Sequence, residues 1–292
     1  MVATGQLPIP QITARRFGAR CLPALTDDAL YERTGVRVAF TGRAGGVSEG
    51  PYSSLNLGNH VGDGPASVER NRALVLEALD AADVPLVVPS QVHGEVVVEL
   101  DDASPEALDA AREAALAGAD ALVATVPGIA ALLCFADCVP VIVVSPTGRF
   151  AVAHAGWRGV ENGVAAKAVR ALARADAAEL GEDAASGYNV YVGPHIHASC
   201  FETGADVRKR FEDRFGSSCI PDERHVDLLE ALTVGLEEAG IDRARVADAG
   251  VCTVCSCDEF FSYRAAGGIC GRHGAVAFRL SDTHASFLRP VC

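Results

Sequence analysis

Four continuous apolar runs dominate the middle of the chain, at residues 121–124, 130–135, 139–144 and 150–154. Short polar or Pro-Gly breaks separate them. Runs of this length without polar alternation predict strands buried on both faces. Around them the period changes. Residues 36–40 alternate as a strand. Ser67 suits an N-cap for a helix over about residues 67–82, with Val68, Leu74 and Leu79 on one face. Residues 86–88 and 96–100 read as strands flanking the turn Gln91-Val92-His93-Gly94. Helices are predicted at residues 105–116, 162–174, 206–215 and 226–239, and further strands at 189–192 and 275–280. Residues 43–59 are too rich in Gly and Ser for a helix. Residues 1–35 lack clean periodicity and read as an N-terminal extension or edge segment. The remainder, 36–292, reads as a single α/β domain with one large mixed sheet or two stacked sheets under helices.

Composition narrows the partners. Hydrophobic residues make up 49% of the 292, enough for a sizeable core. A formal net charge of -13 argues against nucleic acid or an anionic membrane surface as the main partner, because both reward clustered positive charge. The most apolar stretch, residues 129–144, is interrupted by Asp137 and Pro140 and is too short to span a bilayer. Residues 1–20 lack the apolar run of a secretion signal. A cytoplasmic location follows as an expectation, with the ten cysteines mostly reduced.

Chemistry concentrates where apolar strands stop. His93 lies in a turn, Cys138 in the break Phe135-Ala136-Asp137-Cys138-Val139-Pro140, and His154 at the end of a strand before Ala155-Gly156-Trp157-Arg158-Gly159. Sheet ends are where α/β proteins build sites. Imidazole and thiolate are good zinc ligands, and three of them leave a position for water. Asp137 is then a candidate acid/base or supporting residue. Spacing alone weighs toward two turn histidines and a core cysteine, because no local His-x-x-x-His or Cys-x-x-Cys pattern joins the three. Cys252-Thr253-Val254-Cys255-Ser256-Cys257 is a competing metal signal, but it needs a second pair, and Cys270 and His273 are the neighbours in sequence. His195-Ile196-His197 is one His-x-His pair, too few for a trinuclear copper cluster. Arg43, beside Gly45-Gly46, and Arg264, beside Tyr263, are anion-binding candidates. Trp157 is a candidate for stacking on a base. Asn56 and His60 sit in a polar-apolar alternation that places them on one face or leaves them satisfying turn backbone.

Taken in order, Thr41-Gly42-Arg43, Gly45-Gly46-Val47-Ser48, Pro51-Tyr52-Ser53-Ser54-Leu55-Asn56-Leu57 and His60-Val61-Gly62-Asp63 begin a series of motifs. Asn71-Arg72, Gln91-Val92-His93-Gly94, Ala136-Asp137-Cys138-Val139-Pro140 and His154-Ala155-Gly156-Trp157-Arg158-Gly159 continue it. Gly193-Pro194, Cys252-Thr253, Phe261-Ser262-Tyr263-Arg264 and Gly271-Arg272 complete it. The series resembles the bacterial laccase-domain family, long labelled multicopper polyphenol oxidoreductase. Members are also described as purine nucleoside phosphorylases and as a peptidoglycan editing factor. The resemblance covers about residues 36–280.

The resemblance implies a layered α/β/β/α sandwich with mixed sheets, shared distantly with cytotoxic-necrotizing-factor-like cysteine hydrolases. It implies a metal held by His93, Cys138 and His154, with Zn2+ favoured and Cu2+ the alternative. It implies phosphorolysis of adenosine, inosine and 5′-methylthioadenosine, and deamination of adenosine. The partners are then a nucleoside and phosphate, in a monomer or small homo-oligomer. Catalytic candidates are Asp137, His60 and Cys138; substrate or phosphate candidates are Arg43, Asn56, Trp157 and Arg264. Competing functions are copper-dependent phenol oxidation, a metal-free cysteine hydrolase with Cys138 as nucleophile and His154 as base, and a non-enzymatic binding protein, which an open metal position disfavours.

Overall fold

The computed structural model describes residues 6–281. The chain begins with β1 (Thr13–Phe17), β2 (Leu22–Thr26), α1 (Asp28–Thr34) and β3 (Val36–Thr41). It continues through α2 (Pro65–Ala78), β4 (Leu86–Val87), β5 (Val97–Leu100) and α3 (Pro105–Leu116). The central strands are β6 (Ala121–Ala124), β7 (Ala130–Phe135), β8 (Val139–Val144) and β9 (Phe150–Ala155). Then come α4 (Trp157–Asn162), α5 (Val164–Leu180), β10 (Asn189–Val192), α6 (Ala205–Phe215), α7 (Leu228–Glu237), β11 (Val246–Asp248) and β12 (His273–Arg279).

The strands form two 6-stranded sheets, ordered β1-β2-β3-β12-β7-β4 and β11-β10-β8-β9-β6-β5. Both are mixed: β4 runs parallel to β7, β5 to β6 and β10 to β11, and the remaining pairs are antiparallel. The continuous apolar runs follow from a period of two with both faces covered. In β7, Ala131, Leu133 and Phe135 point between the sheets, where they meet Leu122, Ile142, Val152 and Tyr191 of the second sheet. The alternate residues Ala130, Leu132 and Cys134 join Val75, Leu76 and Leu79 on the α2 side. In β8, Val139, Val141 and Val143 face Val164, Ala168 and Leu172 of α5 and Leu232 and Leu236 of α7. The layers are therefore helix, sheet, sheet, helix, as expected.

Several boundaries differ from the sequence reading for local reasons. Helix α2 starts at Pro65 with Gly64 as its N-cap, not at Ser67, because proline at the first helical position is already set for the turn. The helix expected over residues 162–174 is two helices, broken at Gly163, whose φ of 74° is left-handed. β11 was not anticipated; its three residues carry no periodic signal.

Residues 1–35, read as an extension or edge segment, supply β1, β2 and α1 within their described part. β2 pairs with β3 through Ala24 opposite Thr41 and Leu25 opposite Phe40. Asp27, buried at 2% exposure, ties this segment to the rest. Its Oδ1 accepts from the N–H of Leu30 and caps α1. Its Oδ2 accepts from the Gln11 N–H at 3.0 Å and from the Tyr191 hydroxyl of β10 at 2.8 Å. Replacing Asp27 with Ala removes a cap and strands a buried hydroxyl. We expect a loss of about 2–4 kcal/mol, read by denaturant unfolding, with Asp27→Asn losing less.

Candidate metal centre

Sheet register brings residues far apart in sequence to one end of the second sheet. β6 pairs Ala121 with Ala153, and β8 pairs Pro140 with His154. Asp120, just before β6, therefore lies beside His154, and Cys138, just before β8, lies close by. The His154 backbone N–H donates to the Asp120 carbonyl at 2.7 Å.

The Asp120 side chain is fully buried and organises the centre. It accepts from the backbone N–H groups of Val92, His93 and Gly94 at 3.2, 3.0 and 2.7 Å. These contacts hold the turn that presents His93, whose φ of 57° is left-handed and carries strain that the surroundings must offset. Asp120 Oδ1 also lies 2.8 Å from His154 Nδ1. A carboxylate there fixes the tautomer with hydrogen on Nδ1 and leaves Nε2 free to ligate.

One ligand atom from each of His93, Cys138 and His154 lies within 4.8 Å of the others. Cys138 Sγ is 3.7 Å from His93 Nε2. A tetrahedral zinc ion sets sulfur and nitrogen about 3.6 Å apart, so the residues fit such an ion. Gly156 completes the cradle: a Cβ there would lie 2.8 Å from His93 Cδ2 and 3.0 Å from Cys138 Sγ.

The electrostatics favour a thiolate. Burial pushes the Cys138 thiol up, but His154 and His93 beside it outweigh burial and bring it down to about 6. Burial pushes His154 down, and Cys138 and Asp120 together raise it to about 9. Asp120 is held below the usual carboxylate range: burial raises it, and the bonds from His154 and the Gly94 and Val92 amides win.

A cavity of about 380 Å³ opens on this group. Of the sequence candidates, His60, His93, Asp137, Cys138, His154, Trp157 and Arg264 line it. Burial and the nearby Arg272 keep His60 neutral by lowering its pKa. Asp137 Oδ1 accepts from the Thr253 hydroxyl and Oδ2 from the Arg264 N–H, both at 2.7 Å.

Arg43 and Asn56 are not among the lining residues. The Arg43 guanidinium donates to the carbonyls of Ser53 and Cys257 and lies over the Phe261 ring. Asn56 is buried and bonds Gly58, Asp63 and the Arg272 N–H, which makes it a loop staple. In the His195-Ile196-His197 turn, Ile196 lines the cavity and neither histidine does. Burial drives the pKa of His273 down to about 3, and its ring nitrogens do not join the donor group that contains Cys252 and Cys255.

Residue-by-residue reading missed four contributors. Asp120 gave a weak signal, a lone acid directly before an apolar strand. Arg272, Gln91 and Tyr263 also line the cavity. The Gln91 amide donates to the Cys134 carbonyl at 2.8 Å and accepts from its N–H at 2.7 Å, as a neighbouring strand would.

Fold and cavity together define a layered α/β protein with a His-Cys-His group able to hold a metal. Residues 37–279 match the family model described as multi-copper polyphenol oxidoreductase laccase, and the chain belongs to that family. It is 35% identical over 237 residues to a purine nucleoside phosphorylase of Pseudomonas aeruginosa, covering 78% of this chain and 88% of the relative. It is 34% identical over 253 residues to a purine nucleoside phosphorylase of Bacteroides thetaiotaomicron, covering 84% and 92%. The crystal structure of YlmD from Geobacillus stearothermophilus superimposes with a TM-score of 0.74 at 30% identity, over 91% of this chain and 100% of that one. YfiH of Bacillus licheniformis, a hypothetical protein, gives 0.76 at 27% identity, over 91% and 99%.

Two outcomes follow from this geometry. Asp120→Asn weakens the acceptor that orients both His93 and His154, and metal affinity measured by chelator competition falls about 10–100-fold. In metal-stripped protein, alkylation of Cys138 tracks its thiolate: the rate is half-maximal near a pH of about 6 and falls as pH drops through that value, whereas an ordinary thiol reaches half-rate near about 8.5.

Proposed function

We propose that this protein is a zinc-dependent purine nucleoside enzyme. Its main reaction is phosphorolysis of adenosine, inosine and 5′-methylthioadenosine, with hydrolytic deamination of adenosine as a second activity. One observation carries the reading: His93, Cys138 and His154 converge within 4.8 Å beside a cavity walled by Arg264, Arg272, Trp157, Phe201 and Tyr263. The names of the curated relatives supply the substrate class.

A two-histidine, one-cysteine set suits zinc and leaves a coordination position for a reactant. When bound, the ion supplies Lewis-acid activation of an oxygen nucleophile. Arg264 and Arg272 set two permanent positive charges at the cavity of a protein whose net charge is -13, and guanidinium suits phosphate. Trp157 and Tyr263 offer ring faces for a purine. Neutral His60 accepts the proton of the attacking dihydrogen phosphate. A C1′–O bond forms, the C1′–N bond breaks, and the purine leaves with that proton. Both Asp137 oxygens are engaged, so we assign Asp137 to positioning Arg264 and the Cys138 turn rather than to acid/base work.

Copper(II) binds such donors more tightly than zinc, so copper in a purified sample is compatible with this reading and does not make an oxidase. One observation favours a second reading. Asp120, His154 and Cys138 stand in the order of an orienting acid, a base and a nucleophile, which suits a cysteine-type hydrolase editing peptidoglycan precursors.

Replacing His93 or Cys138 with Ala is expected to abolish bound zinc and phosphate-dependent nucleoside turnover together, measured by metal analysis and by release of free base. Full turnover in metal-free Cys138→Ala protein overturns the proposal. Hydrolysis that survives metal removal and disappears on Cys138 alkylation establishes the second reading instead.

A further inference from the structure

Away from His93, Cys138 and His154, a second group of donors comes together. The sulfurs of Cys200, Cys252 and Cys255 all lie within 4.8 Å of one another. None of the proposed chemistry uses them. Cys252 and Cys255 have the Cys-x-x-Cys spacing that grips one ion from a single turn. The third sulfur comes from another loop: Cys200 Sγ is 3.6 Å from Cys255 Sγ across 55 residues of sequence. In sequence, Cys270 and His273 are the nearby residues that could supply a second pair. Neither does; Cys270 packs instead against Ala136 and Phe261.

The separation is informative. A disulfide needs about 2.05 Å between sulfurs, whereas thiolates on a tetrahedral zinc ion stand about 3.8 Å apart. The observed 3.6 Å fits the second arrangement. The backbone is arranged for a thiolate as well. The His197 N–H donates to Cys252 Sγ at 3.5 Å, and the amides of Val254 and Cys255 point at the same sulfur. Amides directed at a ligating sulfur stabilise its charge and fix its lone pairs. The Arg264 guanidinium donates to the Cys200 carbonyl and brings a positive charge to the same loop.

We infer that Cys200, Cys252 and Cys255 form a second metal site, taking one zinc ion or a similarly thiophilic divalent cation, with solvent in the fourth position. Cys255 is exposed and Cys200 partly so, which leaves the ion a path in. The site is a clip between two walls of the cavity. Cys200 precedes Phe201, which lines the cavity. Thr253, between the other two ligands, donates to Asp137. An ion here fastens the 197–202 loop to the 252–257 turn and steadies both walls. The inference is independent of the nucleoside reading.

The test uses the full chain. Protein reduced and then loaded with zinc is alkylated under native conditions, and each cysteine is read by peptide mass mapping. Cys200 and Cys255 are expected to be at least tenfold slower to label with zinc than after chelation. Exposed Cys21 and Cys257 serve as controls that zinc leaves unchanged. In parallel, Cys200→Ser with Cys255→Ser is expected to hold one zinc fewer per chain than the parent, whatever the parent's total. Labelling of Cys200 and Cys255 that ignores zinc overturns the inference. So does equal zinc content in the two proteins, or a disulfide within the trio in protein purified without reductant.

Discussion

The buried carboxylate of Asp120 is the contact on which the rest of the centre depends. Four N–H donors converge on it: three successive amides of the His93 turn and the imidazole of His154. Deprive the turn of that acceptor and His93 has no reason to keep its left-handed backbone. Deprive His154 of it and the tautomer that presents Nε2 is no longer selected. The negative charge is affordable in the interior because every lone pair direction it offers is used. One side chain thus converts a strand register into a ligand geometry.

Around it the electrostatics divide sharply. The protein is acidic as a whole, yet its cavity carries the guanidinium groups of Arg264 and Arg272. A local positive wall in an acidic protein selects small anions and discourages polyanions, whose length would meet the repulsive surface beyond. That contrast suits a free phosphate better than a nucleic acid backbone.

The fold was largely legible because burial dictated it. Unbroken apolar runs signalled strands covered on both faces, and β7 shows why: one face feeds the inter-sheet core and the other packs under α2. What stayed illegible rests on long-range pairing. Nothing in residues 1–35 announces that Asp27 will meet Tyr191, and nothing near Cys252 points to Cys200. His93, Cys138 and His154 were visible as strand-end residues, but their convergence depends on the β6-β9-β8 register, which no local pattern encodes. Arg43 and Asn56 looked like ligand-binding residues for the reason that makes them good staples: both are rich in hydrogen-bonding groups, and the loop takes them first.

The place of β12 in the first sheet has a consequence for how the chain acquires its shape. β12 sits between β3 and β7, pairing Ala275 with Phe40 on one side and with Leu133 on the other. The amino-terminal strands therefore have no continuous sheet to join until residues 273–279 are in place, more than 230 residues after β3. Loop closure over such a separation is slow, and in the interval β3 and β7 expose unpaired edges to other chains. The strand that closes the sheet is thus also the one that removes those two edges.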